Sequence, residues 1–282
     1  MVKGLFVGLT NLDYVYYINE YPKENMKCKT NEYSRYIGGP AANAAITYSL
    51  LGGDATLITA FGTSTESKII EDELLKYNIN IINLSKDDSL PGTSTICISD
   101  KGYRTIFSGQ SVYKDFDFSL IPDTSFDFAL FDCNQQDISL KVLEMVNCPV
   151  VLDAGSFKDN TNRFLEKANI IISSENFKDD KGLNIFEMNL INSEDKAITR
   201  GDKSILTING EIEVPKAECI DSLAAGDIFH GAFCFAKYNK YMCFEDALKF
   251  ASEIASESVK FKGPRRGVLE YISLNSNFSL KG

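Results

Sequence analysis

The chain of 282 residues contains a single histidine, His230, and no tryptophan. A serine–histidine–acid triad would have to use His230, and an H-E-x-x-H zinc site is excluded because it needs two histidines. The H-R-D motif of protein kinases is also missing. The seven cysteines are scattered and form no C-x-x-C pair. This pattern is typical of reduced thiols in a cytosolic protein and argues against a structural zinc site.

Positive charge is scarce, because 29 Lys and Arg face 39 Asp and Glu and give a formal net charge of -10. No basic surplus exists to neutralise a phosphate backbone, so we expect no nucleic-acid binding. No run approaches the roughly 20 apolar residues that span a bilayer. The N-terminal segment also lacks the basic start and apolar stretch of a signal peptide. We therefore expect a cytoplasmic protein that does not bind membranes.

Strand and helix patterns alternate along most of the chain. Buried-type strands such as "KGLFVG", "ATLITAFG" and "PVVLDAG" are separated by amphipathic segments such as "TESKIIEDELLKY". This alternation predicts a mostly parallel sheet with helices on both faces. Two helices are expected to close the chain, over 224 to about 240 and over 244–261.

Two β-type segments, at about 14–37 and 93–109, interrupt this alternation. Both leave from the predicted carboxyl edge of the sheet, where ligands bind in open α/β folds. We expect one domain over residues 1–282, in which these segments form a small β lid above a cleft.

The stretch "DSLAAGDIFHGAF", residues 221–233, places small residues and an acid where a helix begins. Ala224, Ala225 and Gly226 would leave the unpaired N–H groups of the helix start open to an anion. Asp227 would lie beside that anion and could take a proton from an attacking hydroxyl, an arrangement suited to phosphoryl transfer. Alternatively, Asp227 only complements the helix dipole.

Two common nucleotide-binding motifs are absent. Without G-x-x-x-x-G-K-[ST], any nucleotide must be held by another device. Without G-x-G-x-x-G after the first strand, a dinucleotide dehydrogenase is disfavoured.

"DSLAAGD" resembles the second signature, D-T-x-G-A-G-D, of the ribokinase-like sugar kinases, the PfkB family. "IGGPAANAAITYSLLGGDATLITAFG" resembles the first signature of that family. The order and separation of the two motifs also match, and the resemblance extends over essentially the whole chain. It implies a three-layer α/β/α sandwich with a small β-sheet lid, and ATP- and Mg²⁺-dependent phosphorylation of a sugar-like alcohol. The motifs resemble most closely those of ketohexokinases and sulfofructose kinases.

The resemblance assigns roles on the acceptor side. It implies that Asp227 is the catalytic base and that the anion hole is the backbone at Ala224, Ala225 and Gly226. The implied substrate contacts are Asp13, Gly38, Gly39 and Asn43. Arg104, in "GYRTIFSG", matches an arginine that related ketohexose kinases present to the substrate, although it could equally be an exposed strand residue.

It also assigns roles on the nucleotide side. "ISSE" resembles an Asn-Glu motif in which Ser174 replaces Asn, and Glu175 would order water around Mg²⁺. The implied ATP contacts are Ser174, Glu175, Thr199, Gly201, Gly226 and Gly263. Asp221 matches an acid that helps to hold a monovalent cation, such as K⁺, in some members. Ala224 replaces the usual glycine, so a positive φ there would be strained.

We interpret the chain as a kinase for the primary hydroxyl of a small sugar, with a ketose favoured by "GGPAAN" and Arg104. Two alternatives remain open. One is a nucleoside kinase that stacks a base under Tyr16, Tyr33 or Tyr36. The other is a nucleotide-binding regulatory homologue without turnover, suggested by Ala224 and Ser174. The resemblance also implies a homodimer formed through the lid.

Overall fold

The computed structural model describes residues 2–30, 32–109 and 111–275. Its elements follow in the order β1 (Lys3–Val7), β2 (Asn11–Ile18), β3 (Tyr33–Gly38), α1 (Pro40–Leu50), β4 (Asp54–Thr59), α2 (Thr65–Lys76), β5 (Asn80–Asn83), β6 (Thr93–Ser99), β7 (Arg104–Gly109), β8 (Phe128–Phe131), α3 (Gln136–Met145), β9 (Val150–Ala154), α4 (Thr161–Lys167), β10 (Ile170–Ser174), β11 (Asp195–Arg200), β12 (Lys203–Thr207), β13 (Gly210–Ile212), α5 (Ala225–Cys234), α6 (Phe244–Ser258) and α7 (Arg266–Leu274). A π-helical turn over Phe235–Asn239 continues α5.

Among the described residues, nine strands form a large sheet in the order β13-β12-β11-β10-β9-β8-β1-β4-β5. The strands from β11 to β5 are parallel, and β12 and β13 form an antiparallel edge. This confirms the predicted α/β fold with a mostly parallel central sheet.

The two faces of the large sheet bury different helices. Phe6 of β1 packs in a cluster with residues of α1, α2, α5 and α6, whereas Leu5 and Val7 pack in a second cluster with residues of α3 and α4. Successive strand residues point to opposite faces, so one apolar strand supplies both clusters. Strand β1 lies between β4 and β8. On the β4 side, the connecting helices α1 and α2 cover one face of the sheet, and on the β8 side, α3 and α4 cover the other face. The carboxyl ends of β1 and β8 therefore form a topological switch point, where open α/β sheets bind ligands.

The small sheet has the order β3-β2-β6-β7. It stands at the carboxyl edge of the large sheet because β2 begins only four residues after β1 ends. Its strands occupy the segments predicted as the lid, but β2 begins at Asn11, three residues before the predicted boundary.

Two elements differ from the sequence prediction. Strand β5 was not expected, and α7 follows the two helices that were expected to close the chain. The buried residues of α7 are Gly267 and Val268. Within the described ranges, no helix is both long enough and apolar enough to cross a membrane.

Candidate active site

The first turn of α5 carries the predicted catalytic stretch. Ala224 is its N-cap, with φ 59° and ψ 12°, and no side chain caps the turn. The strained positive φ expected at this alanine is therefore confirmed. Ala225 N donates to Ser222 O at 3.3 Å, whereas the next two N–H groups have no partner within the helix. The space above Gly226 is open, so an anion can approach these donors.

Asp227 lies in this turn and faces Asn43 of α1. Asn43 Nδ2 donates to Asp227 Oδ2 at 2.7 Å, which orients the carboxylate. Burial, together with a smaller effect of the nearby Asp153 carboxylate, raises the pKa of Asp227 to about 7, and the hydrogen bond from Asn43 opposes this rise. A carboxyl group with a pKa near neutrality is well matched to accept a proton from an alcohol.

A cavity of about 250 Å³ opens in front of Asp227, and we call it the acceptor cavity. It brings together most of the residues predicted to contact substrate. Its wall includes Asp13, Gly39, Asn43, Arg104, Ala224, Gly226 and Asp227, together with Leu9, Asn11, Ser94 and Ile106. Asn43 Oδ1 is buried and has no hydrogen-bond partner within the described residues. It is therefore available to accept a hydrogen bond from a substrate hydroxyl.

Asp13 is 6% exposed on β2 and is held by two neighbours. Asn11 Nδ2 donates to Asp13 Oδ1 at 2.9 Å and is 2.8 Å from Ser94 Oγ. Burial raises the pKa of Asp13 to about 6, although the hydrogen bonds from Ser94 and Asn11 lower it. A fixed carboxylate in this setting can accept hydrogen bonds from neighbouring sugar hydroxyls.

Gly38 and Gly39 keep this wall thin. A side chain at Gly38 would collide with the Asp13 carboxylate, and one at Gly39, where φ is 95°, would collide with the Leu9 carbonyl oxygen. Gly38 supports Asp13 from behind, whereas Gly39 itself borders the cavity.

Arg104 of β7 lines the acceptor cavity and also connects the small sheet to the segment that precedes α5. Its Nη1 donates to Ser222 O at 2.5 Å. Gly102, in the turn between β6 and β7, packs against Cys219. The hairpin of the small sheet thus rests on the segment that leads into α5.

A second cavity of about 200 Å³ lies on the other side of the start of α5, and we call it the nucleotide cavity. Thr199, Gly201, Ser222, Ala225 and Phe229 line it, and Ala255, Ser256 and Val259 form its far wall. Both cavities therefore border the first turn of α5, where Asp227 and the unpaired N–H groups lie.

Ser174 and Glu175 stand beside the nucleotide cavity at the end of β10. Glu175 N donates to Thr199 O at 2.9 Å, and Ser174 Oγ donates to Gly155 O at 2.9 Å. Glu175 is exposed, and its carboxylate lies 3.4 Å from Lys203 Nζ. A single exposed carboxylate of this kind suits Mg²⁺, which keeps several waters and takes its other ligands from phosphates.

Asp221 and Gly263 contact each other away from this cavity. Asp221 Oδ2 accepts hydrogen bonds from Gly263 N at 2.8 Å and Tyr17 Oη at 3.0 Å, and Oδ1 accepts one from Leu223 N at 2.8 Å. Gly263 also packs against the Tyr36 hydroxyl and does not border the nucleotide cavity. Both carboxylate oxygens of Asp221 therefore accept hydrogen bonds within the protein. Across the described residues, no three His, Cys, Asp or Glu side chains cluster as a metal site.

Sequence reasoning missed a buried pair behind α5. The pair consists of Asp153, on β9, and His230, with 3.5 Å between Asp153 Oδ2 and His230 Nδ1. His230 Nδ1 is also 2.8 Å from the carbonyl oxygen of Gly226. Burial raises the pKa of Asp153. The available signal was the position of this acid at the carboxyl end of a buried strand, where ligand sites lie.

Comparisons with known proteins show which proteins the chain is similar to. The family model "pfkB family carbohydrate kinase" matches residues 2–133. A ribokinase from Dictyostelium discoideum is 25% identical, covering 91% of this chain and 94% of its own length. A nucleoside kinase from Methanocaldococcus jannaschii is 26% identical, covering 93% and 92%.

Solved structures share the fold. The structure of Arabidopsis thaliana ribokinase complexed with ribose and ATP covers 95% of this chain and 97% of its own, with a TM-score of 0.68 and 20% identity. These relatives are named as ribokinases or nucleoside kinases, so the comparisons do not support the closeness to ketohexokinases and sulfofructose kinases inferred from the motifs. The chain is thus similar to a pfkB family carbohydrate kinase over residues 2–133 and to a ribokinase and a nucleoside kinase over more than nine-tenths of its length, and these relatives are phosphotransferases that act on an alcohol.

Proposed function

We propose that the protein transfers the γ-phosphoryl group of ATP to the primary hydroxyl of a small sugar, with a ribose unit as the first choice of acceptor. The observation that carries this proposal is the placement of Asp227. It stands in the first turn of α5, which borders both the acceptor cavity and the nucleotide cavity.

On the acceptor side, Asp13 and Asn43 bind the sugar hydroxyls. Asn43 also holds the Asp227 carboxylate through its Nδ2 group. Asp227 takes the proton of the attacking hydroxyl, whose oxygen then forms a bond to the γ-phosphorus while the bond to the β-phosphate oxygen breaks. A general base of this kind contributes about 10²- to 10⁴-fold to the rate.

On the nucleotide side, the first-turn N–H groups at 224–227 face the transferring phosphoryl group and stabilise its charge. One such donor is typically worth about 3 kcal/mol. Glu175 would hold Mg²⁺ through water, and the metal would neutralise charge on the phosphates. Thr199 and Gly201 line the phosphate end of the cavity, and the apolar wall at Ala255 and Val259 suits a purine ring.

The small sheet serves as a lid in this proposal. Arg104 and the hairpin around Gly102 close over the sugar by resting on the 219–222 segment. Closure excludes water, which would otherwise compete with the sugar hydroxyl for the phosphoryl group.

A coupled ADP-release assay tests the proposal over a panel of ribose, other aldoses, ketoses, sugar acids and nucleosides. Sugar-dependent ADP production that Asp227→Asn abolishes would support it. ATP binding without ADP production from any acceptor would instead support the regulatory alternative that Ala224 and Ser174 suggest. A ketose hit without a ribose hit would restore the substrate preference inferred from the sequence.

We also propose that two copies pair through the outer face of the small sheet, as a homodimer. Tyr33 and Phe107 are 70% and 65% exposed there, an unusual exposure for large apolar side chains. Phe107→Asp should convert a dimer to a monomer in light scattering. A monomeric parent protein would remove this part of the proposal.

A further inference from the structure

Arg265, which precedes α7, is a buried arginine that borders neither the acceptor cavity nor the nucleotide cavity. It is the N-cap residue of α7, and only 7% of it is exposed. A guanidinium group is not deprotonated in proteins. Burying its charge costs free energy unless other groups compensate it.

The immediate neighbours of Arg265 compensate only part of this charge. Its Nη2 group donates to the carbonyl oxygen of Ile37 at 2.9 Å, and its guanidinium carbon lies 5.8 Å from the centre of the Tyr77 ring. Nε and Nη1 have no hydrogen-bond partner within the described residues. Arg265 also forms no salt bridge in the described part of the chain. Carboxylates at a longer distance must therefore supply the counter-charge.

The hydrogen bond to Ile37 reaches the wall of the acceptor cavity. Gly38 follows Ile37 and lies directly behind Asp13, because a side chain at Gly38 would collide with the Asp13 carboxylate. Gly39 then borders the cavity itself. Arg265 thus holds the end of β3 that supports this wall.

The charge of Arg265 acts on both acids of the acceptor cavity. Burial raises the pKa of Asp13 to about 6, and the Arg265 cation is among the groups that oppose this rise. Burial also lowers the pKa of Arg265, and four side chains oppose that effect; they are Tyr77, Glu73, Asp227 and Asp13. Since an opposite charge favours the ionised form of a carboxyl group, Arg265 favours the carboxylates of Asp13 and Asp227.

Arg104 is a second cation that lowers the pKa of Asp13. It is exposed on β7, whereas Arg265 is buried. Salt screens exposed charges far more than buried ones. Of the two cations, Arg265 is therefore the less screened.

We propose that Arg265 is a positioning residue for the acceptor site. Its guanidinium group fixes the backbone at 37–39 behind Asp13, and its charge keeps Asp13 and Asp227 in the anionic form that sugar binding and proton abstraction need. Arg265 acts through these residues and does not contact sugar or ATP. Its effect on turnover rests on the proposed kinase function, but its effect on the two carboxyl groups can be measured without turnover.

The first measurement is an NMR titration of the carboxyl groups in the ligand-free protein, with isotope-labelled aspartate. Asp13→Asn and Asp227→Asn assign the two signals. In Arg265→Met, which removes the charge, both pKa values should rise by about half a unit or more. In Arg265→Lys, which keeps the charge, they should stay close to those of the parent protein. Arg104, Asp153 and His230, which also act on these acids, are unchanged in both variants.

The second measurement is the pH dependence of kcat/KM. Because protonation of the two acids then extends to higher pH, Arg265→Met should move the acidic limb of the profile upward. The KM for the acceptor should rise about tenfold, whereas the KM for ATP should stay within about twofold because Arg265 does not border the nucleotide cavity. Arg266→Met removes the same charge from the exposed neighbouring position and is the matched control.

Thermal unfolding shows whether the variants are folded. Should Arg265→Met not fold, Arg265→Gln takes its place, since it removes the charge but keeps a donor for the Ile37 carbonyl oxygen. Unchanged pKa values of Asp13 and Asp227 in a folded, uncharged variant would overturn the proposal, as would equal shifts in Arg265→Lys or in Arg266→Met. Raised pKa values in a protein whose parent forms no ADP with any acceptor would support the action of Arg265 on the two acids and overturn the kinase function.

Discussion

Asn43 Nδ2 lies 2.7 Å from Asp227 Oδ2, across the contact between the first turns of α1 and α5. These two helix starts belong to the two sequence motifs, which are separated by about 180 residues. The contact gives Asp227 a fixed direction toward the acceptor cavity.

Asp227→Asn should lower kcat at least a hundredfold, because the amide cannot take the proton of the attacking alcohol. ATP and sugar should still bind, since the side chain keeps its size. Steady-state kinetics and calorimetric titration check these two expectations. Near-normal turnover in this variant would remove Asp227 from the role of base.

Activity should fall as the pH drops below about 7, because the base is then protonated. Asp153→Asn removes a like charge beside Asp227, so it should lower the pKa of Asp227 and move the acidic limb of the kcat/KM profile to lower pH. The three residues that lower the pKa of Asp227 in the parent protein stay in place in this variant; they are Asn43, Arg104 and His230.

Glu71→Gln, on the exposed face of α2, removes the same charge far from the site and should leave the pH profile unchanged. An acidic limb that does not move in Asp153→Asn would show that Asp153 does not tune the base.

Ala224→Gly should raise the stability by about 1 kcal/mol, because glycine adopts a positive φ without the steric cost that Ala224 bears. Ala225 begins the helix itself, so Ala225→Gly should give no such gain and should lower the stability. Thermal unfolding of the pair checks the contrast. Equal changes in the two variants would contradict the strain at Ala224.

Arg104→Ala should raise the KM for the acceptor about tenfold with a smaller effect on kcat, since it removes a cation from the acceptor cavity and a contact to Ser222. Arg35→Ala, at an exposed position of β3 in the same small sheet, is the control. An unchanged KM would place Arg104 outside the acceptor site.

The parts of the site that are local in sequence could be predicted. Small residues followed by an acid at a helix start predicted that Asp227 lies beside open backbone N–H groups. Helix geometry alone fixes the positions of these groups relative to one another. The alternation of strands and helices predicted the sheet and its carboxyl edge in the same way.

The parts that depend on packing between distant segments could not. Asp153 lies near Asp227, and Asn11 donates to Ser94, in each case more than 70 residues away in sequence. Gly263 donates a hydrogen bond to Asp221 and does not border the nucleotide cavity. The short strand β5 was missed because its four residues, "NIIN", give too little periodicity.

The contact of the small sheet with the 219–222 segment connects the acceptor cavity to the nucleotide cavity. Cys219 and Ser222 border the nucleotide cavity. They also contact the small sheet, because Gly102 packs against Cys219 and Arg104 donates a hydrogen bond to Ser222 O. In the proposed function, an outward movement of the small sheet that admits a sugar would withdraw support from the cavity assigned to ATP. We therefore expect sugar and ATP to bind cooperatively, and because such coupling is reciprocal, each ligand should raise the affinity for the other by the same factor.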